Sequence, residues 1–256
     1  MTPSTVVVSG ASRGIGEAVA VAYAAPGALL GLIGRDEAGL GRVAERCRER
    51  GATVQPILLD VRERDRLREA LLSLDAAHPV DLVVANAGVA LPTGGHEAVL
   101  EAARGEIAIN FLGALDTVSP LIPAMTARGR GQLALVSSLA AFAPLPDSPG
   151  YSASKAALLV YGLALRERLR ATGVRVSVVC PGYVETDMGS RYRGRRPFLM
   201  SAERAASHIK TGLAADRAVI AFPRALALAA RLSTLVPEPV RRLGLSGFRF
   251  SIDRGS

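Results

Sequence analysis

Seven short apolar, β-prone stretches punctuate this chain at residues 5–8, 28–33, 53–58, 82–85, 133–136, 174–179 and 218–222. Between them run amphipathic segments of helical periodicity near 15–25, 36–50, 62–77, 97–127, 150–171 and 201–214. Apolar strands that alternate with helices argue for a parallel sheet covered on both faces. Gly, Pro and Asp mark the joins, as in Pro92-Thr93-Gly94-Gly95 and in the stretch 144–150. The chain shows neither an internal repeat nor a low-complexity linker, and 256 residues suffice for a substantial core. The economical reading is one α/β domain over residues 1–222, a doubly wound sheet of seven parallel strands, with a helical extension at 223–256 packed on it.

Hydrophobic residues at 49% and charged residues at 21% read as globular. No basic segment leads into an apolar one at the N-terminus, and uninterrupted apolar stretches such as 156–161 fall short of a bilayer span. Cys47 and Cys180 make neither a disulfide framework nor a metal cluster, so a reducing, cytoplasmic setting and no metal site are expected. With aromatic content at 4% and no Trp, a nucleic-acid stacking platform is excluded. The net charge of +8 is uneven: residues 183–256 carry 13 basic and 6 acidic side chains, including Arg191, Arg193, Arg195, Arg196, Arg241 and Arg242. That excess fits an anionic partner, whether a phosphorylated substrate, an acidic carrier protein or a membrane surface, and equally an arginine-rich solvated surface. The mixed-charge runs at 42–50 and 62–68 read as solvated helix faces.

The first strand runs straight into Gly10-Ala11-Ser12-Arg13-Gly14-Ile15-Gly16, which opens a helix. Glycines allow backbone N–H groups to approach a pyrophosphate, and a helix N-terminus favours its charge. The turn holds no phosphate-binding lysine, which favours a dinucleotide over a nucleoside triphosphate. Further on, Tyr151-Ser152-Ala153-Ser154-Lys155 places a phenol and an ammonium four residues apart, hence neighbours on one helix face. Of the 31 basic residues only Lys155 and Lys210 are lysines. A cation beside a phenol lowers its pKa from about 10, which makes a proton donor for carbonyl chemistry.

These features together resemble the short-chain dehydrogenase/reductase family, from residue 4 to about residue 222. The resemblance rests on the glycine turn 10–16, Asp60, Asn86-Ala87-Gly88, Asn110, Ser138, the Tyr151-x-x-x-Lys155 motif, and Pro181-Gly182 leading to Thr186. It implies a Rossmann-type fold and hydride transfer between a nicotinamide cofactor and a carbonyl or alcohol. Tyr151 is then the general acid/base, Lys155 its electrostatic partner and a ribose ligand, Ser138 the group that fixes the substrate oxygen, and Asn110 a link to solvent through water. Asp60 and Val61 are implied at the adenine, Asn86, Ala87 and Gly88 along the cleft, and Pro181, Gly182, Val184 and Thr186 around the nicotinamide. Two departures are Ser9, where the family usually has Thr, and Ala85, where a first Asn is usual.

Strand two ends in Ile33-Gly34-Arg35-Asp36, with glycine where NAD enzymes carry a ribose-binding acid. Arg35 and Arg13 suit a 2′-phosphate, and Asp36 reads as the start of the next helix, so NADP(H) is the expected cofactor. Ser137 is expected to be structural, and Cys180, His78, His96 and His208 to lie outside the chemistry. The family places a lid at 183–200, where Tyr183, Met188, Tyr192, Phe198, Leu199 and Met200 either line an apolar pocket or anchor the lid. Basic segments at 224–235 and 237–243 close the pocket, meet another subunit or rest on an anionic membrane. The resulting expectation is a reductase of apolar ketones, aldehydes or acyl thioesters, assembled as a homodimer or homotetramer through 97–127 and 150–171. The alternatives are an oxidative alcohol or steroid dehydrogenase and a non-catalytic NADP-binding sensor or scaffold.

Overall fold

The computed structural model describes residues 3–94, 96–190, 192–233 and 251–252. Its strands are β1 (Thr5–Ser9), β2 (Leu29–Gly34), β3 (Thr53–Leu58), β4 (Leu82–Ala85), β5 (Gly131–Val136), β6 (Val174–Pro181), β7 (Tyr192–Arg193), β8 (Val219–Phe222) and β9 (Ser251–Ile252). Seven of them form one parallel sheet in the order β3-β2-β1-β4-β5-β6-β8. This is the doubly wound, Rossmann-type architecture, with the strands where the apolar stretches put them. The two-residue strands β7 and β9 pair antiparallel in a separate ribbon that the sequence pattern did not suggest.

Alternation along β1 shows how the layers form. Val6 and Val8 join the core cluster that also holds Val19, Leu40, Val43 and Ile209. Val7, between them, faces the opposite cluster, with Leu67, Leu71, Leu121 and Leu158. The helices supplying those side chains are α1 (Gly14–Tyr23), α2 (Glu37–Arg48) and α9 (Ala202–Ala214) on one face, and α3 (Arg64–Ala77), α7 (Pro149–Arg168) and the 3₁₀ turn Ser119–Leu121 on the other. Each fully buried Leu or Val contributes about 1.5–3 kcal/mol, so strands apolar on both faces hold the sheet central.

The segment expected as one helix at 97–127 is a broken run. It comprises α4 (His96–Glu106), a π-helical stretch Ile107–Leu112, α5 (Gly113–Val118), a 3₁₀ turn and α6 (Ile122–Ala127). This run is long and apolar enough to cross a bilayer on length and composition alone. Its inner face instead buries Ala114, Val118, Leu121 and Met125 in the core. The remaining helices are α8 (Asp187–Ser190) and α10 (Arg224–Ser233); α10 falls in the first of the two basic segments, and 237–243 lies outside the described residues.

Sheet order reverses between β1 and β4. In such sheets the crevice at the carboxyl ends of the diverging strands is the ligand site. Ser9–Gly10 and Ala85–Asn86 lie at those ends.

Candidate active site

The first half of the site is a backbone cradle. Gly10 and Gly14 adopt positive φ, 65° and 61°, which a residue with a Cβ rarely takes. A Cβ on Gly10 would meet Ala87 Cα at 2.8 Å, and one on Gly16 would meet the Gly10 carbonyl oxygen at 2.2 Å. Asn86 ties the turn down from the next strand, its Nδ2 donating to the carbonyls of Ser9 at 3.1 Å and Gly10 at 3.2 Å. In return the Ser9 hydroxyl accepts from the backbone N–H groups of Asn86 and Ala87. Serine thus makes these contacts with its hydroxyl alone, without the methyl of a threonine. The glycine cradle at the N-terminus of α1 fits a dinucleotide pyrophosphate.

At the outer end of the crevice the charges are arranged differently from the simple expectation. Asp36 caps α2, accepting from Gly39 N–H at 3.0 Å, so its carboxylate is engaged at the helix N-terminus. Arg35 and Arg13 are each paired with an acid, Arg35 with Asp60 at 3.5 Å and Arg13 with Asp187 at 3.4 Å. Arg62, read from sequence as part of a solvated face, grips Asp60 with two bonds at 3.0 and 2.7 Å. That clamp holds the Asp60 carboxyl down at about 2. Gly10, Ser12, Arg13, Gly14, Ile15, Gly34, Arg35, Asp60, Val61, Asn86, Ala87, Gly88 and Thr186 all line this one cavity. Gly16 does not line it; it packs beneath the turn.

The inner cavity continues from the first through Ile15, Asn86, Gly88 and Thr186. It is lined by Ser138, Tyr151, Lys155, Pro181, Gly182, Tyr183, Val184 and Met188. Ser137 and Ser138 both border this cavity, but their hydroxyls are engaged differently. Ser137 donates to the Lys155 carbonyl at 2.7 Å, while Ser138 opens the 3₁₀ turn Leu139–Ala141 at the cavity wall. Asn110, fully buried, accepts from Val89 N–H at 2.7 Å and donates to Val89 O and to Ser154 Oγ. It therefore locks the loop after β4 against α7.

Electrostatics at the pair depart from expectation. Lys155 is 4% exposed and donates to the Val136 carbonyl at 2.9 Å, with Nζ 5.8 Å from the Tyr151 ring centroid. Burial pushes the Tyr151 phenol up to about 12; its hydrogen bond with Ser138 opposes the rise, and the Glu106 charge adds to it. Burial likewise pushes Lys155 down to about 8. The phenol is thus raised, where the sequence predicts a lowering by Lys155, because desolvation by burial is the largest effect on it. Cys180, fully buried on β6, is pushed up to about 12, which leaves its thiol inert.

Residues 4–196 match the family model for short chain dehydrogenases. The chain belongs to that family. Its oxidoreductase relatives include an "uncharacterized oxidoreductase" of Myxococcus xanthus, 38% identical over 241 residues, covering 94% of this chain and 95% of that one. The ketoacyl reductase HetN of a Nostoc species is 34% identical over 185 residues, covering 72% of this chain and 64% of that protein. Among solved structures, a short-chain dehydrogenase of Sphingobium yanoikuyae in complex with NADPH superposes with a TM-score of 0.79 at 26% identity, covering 96% of both chains. One of Mycobacterium paratuberculosis bound to NAD gives 0.75 at 26% identity, covering 85% of this chain and 94% of that one.

In this short-chain dehydrogenase the stretch expected as a lid is anchored at both ends. Val184 and Met200 form an isolated bridge, and both are buried in the core cluster. Met200 is thus an anchor, and Phe198, 61% exposed, points away from the cavity that Tyr183 and Met188 line. The side chains of Arg191, Tyr192, Arg193, Arg241 and Arg242 lie outside the described residues. His208 stacks on Phe222 at 5.1 Å, away from the cleft.

Proposed function

We propose that this short-chain dehydrogenase is an NADP(H)-dependent reductase of apolar carbonyl compounds, with Tyr151 as the general acid. The observation that carries the reading is the continuity of the glycine cradle with the cavity holding Ser138, Tyr151 and Lys155. A dinucleotide seated on the cradle would extend along one continuous crevice toward the phenol.

Bound NADPH supplies the hydride. Gly10 and Gly14 leave the backbone open for a pyrophosphate, and Lys155 would hold the nicotinamide ribose. Ser138 Oγ holds the substrate oxygen beside the phenol, which restricts the carbonyl to one orientation. Because burial keeps the Tyr151 phenol protonated through the neutral range, it donates its proton to that oxygen as negative charge develops. The substrate oxygen takes the phenolic proton and leaves a phenolate beside Lys155, while the hydride to the carbonyl carbon would come from the bound cofactor. Asn110 keeps the loop after β4 and α7 in register during this exchange, and a water beside it would return the proton.

The reading of NADP(H) rests on the ribose end. Gly34 offers no acid, Asp36 is committed to its helix cap, and Arg35 and Arg62 converge on Asp60. A 2′-phosphate would compete with Asp60 for both guanidinium groups, which are more than half exposed and free to re-aim. Substrate chemistry is apolar, since Tyr183, Val184 and Met188 surround the inner cavity and Leu226 of α10 packs against Gly182. The ketoacyl reductase relative is consistent with acyl thioesters among the candidates. Exposed Leu100, Leu112, Val160 and Leu163 on α4, the π-helical stretch and α7 suit a homo-oligomeric contact.

The test is oxidation of NADPH and of NADH across a panel of ketones, aldehydes and acyl thioesters. Turnover with NADPH in at least one class is expected. Tight NADPH binding with no turnover anywhere would favour a sensor, and equal use of NADH would remove the cofactor preference.

A further inference from the structure

One ionisable group in the layer beneath the phenol has no part in the scheme above. Glu106, the last residue of α4, is fully buried. Its Oε1 accepts from Leu91 N–H at 2.9 Å, whereas Oε2 has no hydrogen-bond partner. That second oxygen abuts the first turn of α7, because a Cβ on Gly150 would come within 2.5 Å of it. The same Cβ would lie 2.4 Å from Ala103 Cα, so only glycine lets α4 approach α7 this closely. Gly150 directly precedes Tyr151. The close packing of the two helices therefore delivers a carboxyl beneath the residue that carries the phenol.

A buried carboxyl with an unsatisfied oxygen is costly, and a neutral side chain would accept the Leu91 hydrogen bond equally well. We propose that Glu106 is a positioning residue for proton transfer at Tyr151. It clamps the loop after β4 to the first turn of α7, and its protonation is coupled to that of the Tyr151–Lys155 pair. This rests on the reading of Tyr151 as proton donor. The titratable groups facing Glu106 are Tyr151 and Lys155 on α7, with Cys180 of β6 beyond them. Residues 89–94 and the π-helical stretch Ile107–Leu112 contribute none, and on α4 Arg104 and Glu101 pair with each other at the surface.

The direction of coupling is set by charge. As a carboxylate, Glu106 raises both Tyr151 and Lys155, since each binds its proton more tightly beside a negative charge. Burial raises Glu106 itself and the Lys155 charge opposes that rise. In its acid form Glu106 releases the phenol to give up its proton; once ionised it holds that proton back. On this proposal the three groups titrate together.

Glu106→Gln keeps the acceptor for Leu91 and removes the ionisation. Two readouts are needed, the pH profile of carbonyl reduction and an ultraviolet titration of the Tyr151 phenolate, taken as the difference between each protein and its Tyr151→Phe derivative. The expected result is a shift of both midpoints to lower pH by about half a unit or more. Cofactor affinity and thermal midpoint should stay near the parent's. Superimposable phenolate titrations would overturn the proposal even where the parent turns over substrate. A parent with no reductase activity but a shifted phenolate would sink the proposed function and leave the coupling standing. Should the Gln variant fail to fold, infrared titration of the parent decides. A buried carboxylic acid band whose midpoint moves on Tyr151→Phe supports the coupling, and one indifferent to it refutes it.

Discussion

Gly16→Ala tests whether the cradle depends on the close approach of its own backbone. An alanine at this third position of α1 gains about 0.8–1 kcal/mol of intrinsic helix preference over glycine. Against that, its Cβ would sit 2.2 Å from Gly10 O, 2.6 Å from Asn86 Nδ2 and 2.8 Å from Gly10 C. Two of those atoms are backbone of the turn, so relief requires the turn to move by about 1 Å to reach ordinary contact. Such a movement breaks the Asn86 bonds to Ser9 and Gly10 that tie β4 to β1. Overpacking of this kind costs about 1–3 kcal/mol, which outweighs the helix gain. NADPH affinity should fall tenfold or more, about 1.4 kcal/mol, because the pyrophosphate seat is displaced. Gly41→Ala is the control. That glycine lies inside α2 with nothing near its missing Cβ, so alanine there should stabilise by about 0.5–1 kcal/mol. Urea unfolding followed by circular dichroism, together with NADPH fluorescence titration, reads both effects. The chain has no Trp, so the cofactor signal is free of tryptophan emission. A Gly16→Ala protein with the parent's midpoint and the parent's NADPH affinity would refute the reasoning.

Tyr151→Phe should lower turnover by at least about 10²–10⁴-fold while NADPH titration remains as in the parent. Since Lys155 lies near 8 and its charge balances the phenolate, the rate of carbonyl reduction should hold below that pH. It should fall as pH rises through it, which a kcat profile in mixed buffers would show. Asp60→Asn removes the partner of Arg35 and Arg62, both more than half exposed, so solvent screening limits the cost to about 1 kcal/mol. Asp60 is depressed to about 2 in the fold, so the parent's advantage is present above the ordinary carboxylate range. It disappears as pH falls through about 2, which paired urea midpoints would show.

The sheet was legible because its central strands β1, β2 and β4 are buried almost throughout and so read as uninterrupted apolar stretches, whereas the edge strand β3 is largely exposed. Val6, Val7 and Val8 serve two different helix layers, and all three are fully buried. The broken run from α4 to α6 was less legible. Its sequence is largely apolar after Glu106, and nothing in it marks the π-helical stretch in which Asn110 is buried. The ribbon of β7 and β9 joins residues almost sixty positions apart, and two-residue strands carry no pattern of their own.

The site divides along the same line. Contacts made by backbone, such as the glycine cradle, left their mark in residue type because only glycine tolerates the approach. Contacts made by charge did not, because charge acts through whatever surrounds it. Arg62 looked like one more solvated arginine, and only the fold shows that residue 60 turns its carboxylate back toward residue 62. Tyr151 and Lys155 were read as a cation lowering a phenol, a correct inference for two groups in water. Buried, each is pushed toward its neutral form, and Glu106 contributes a charge that spacing along the chain gave no reason to place there. Glycine offers the one clue that sequence held: Gly150, beside the tyrosine, marks a place where another helix must come close. What arrives through that gap is a carboxyl whose charge adds to the rise that burial chiefly causes, so the proton affinity of the phenol depends on its surroundings as well as on the Tyr-x-x-x-Lys motif.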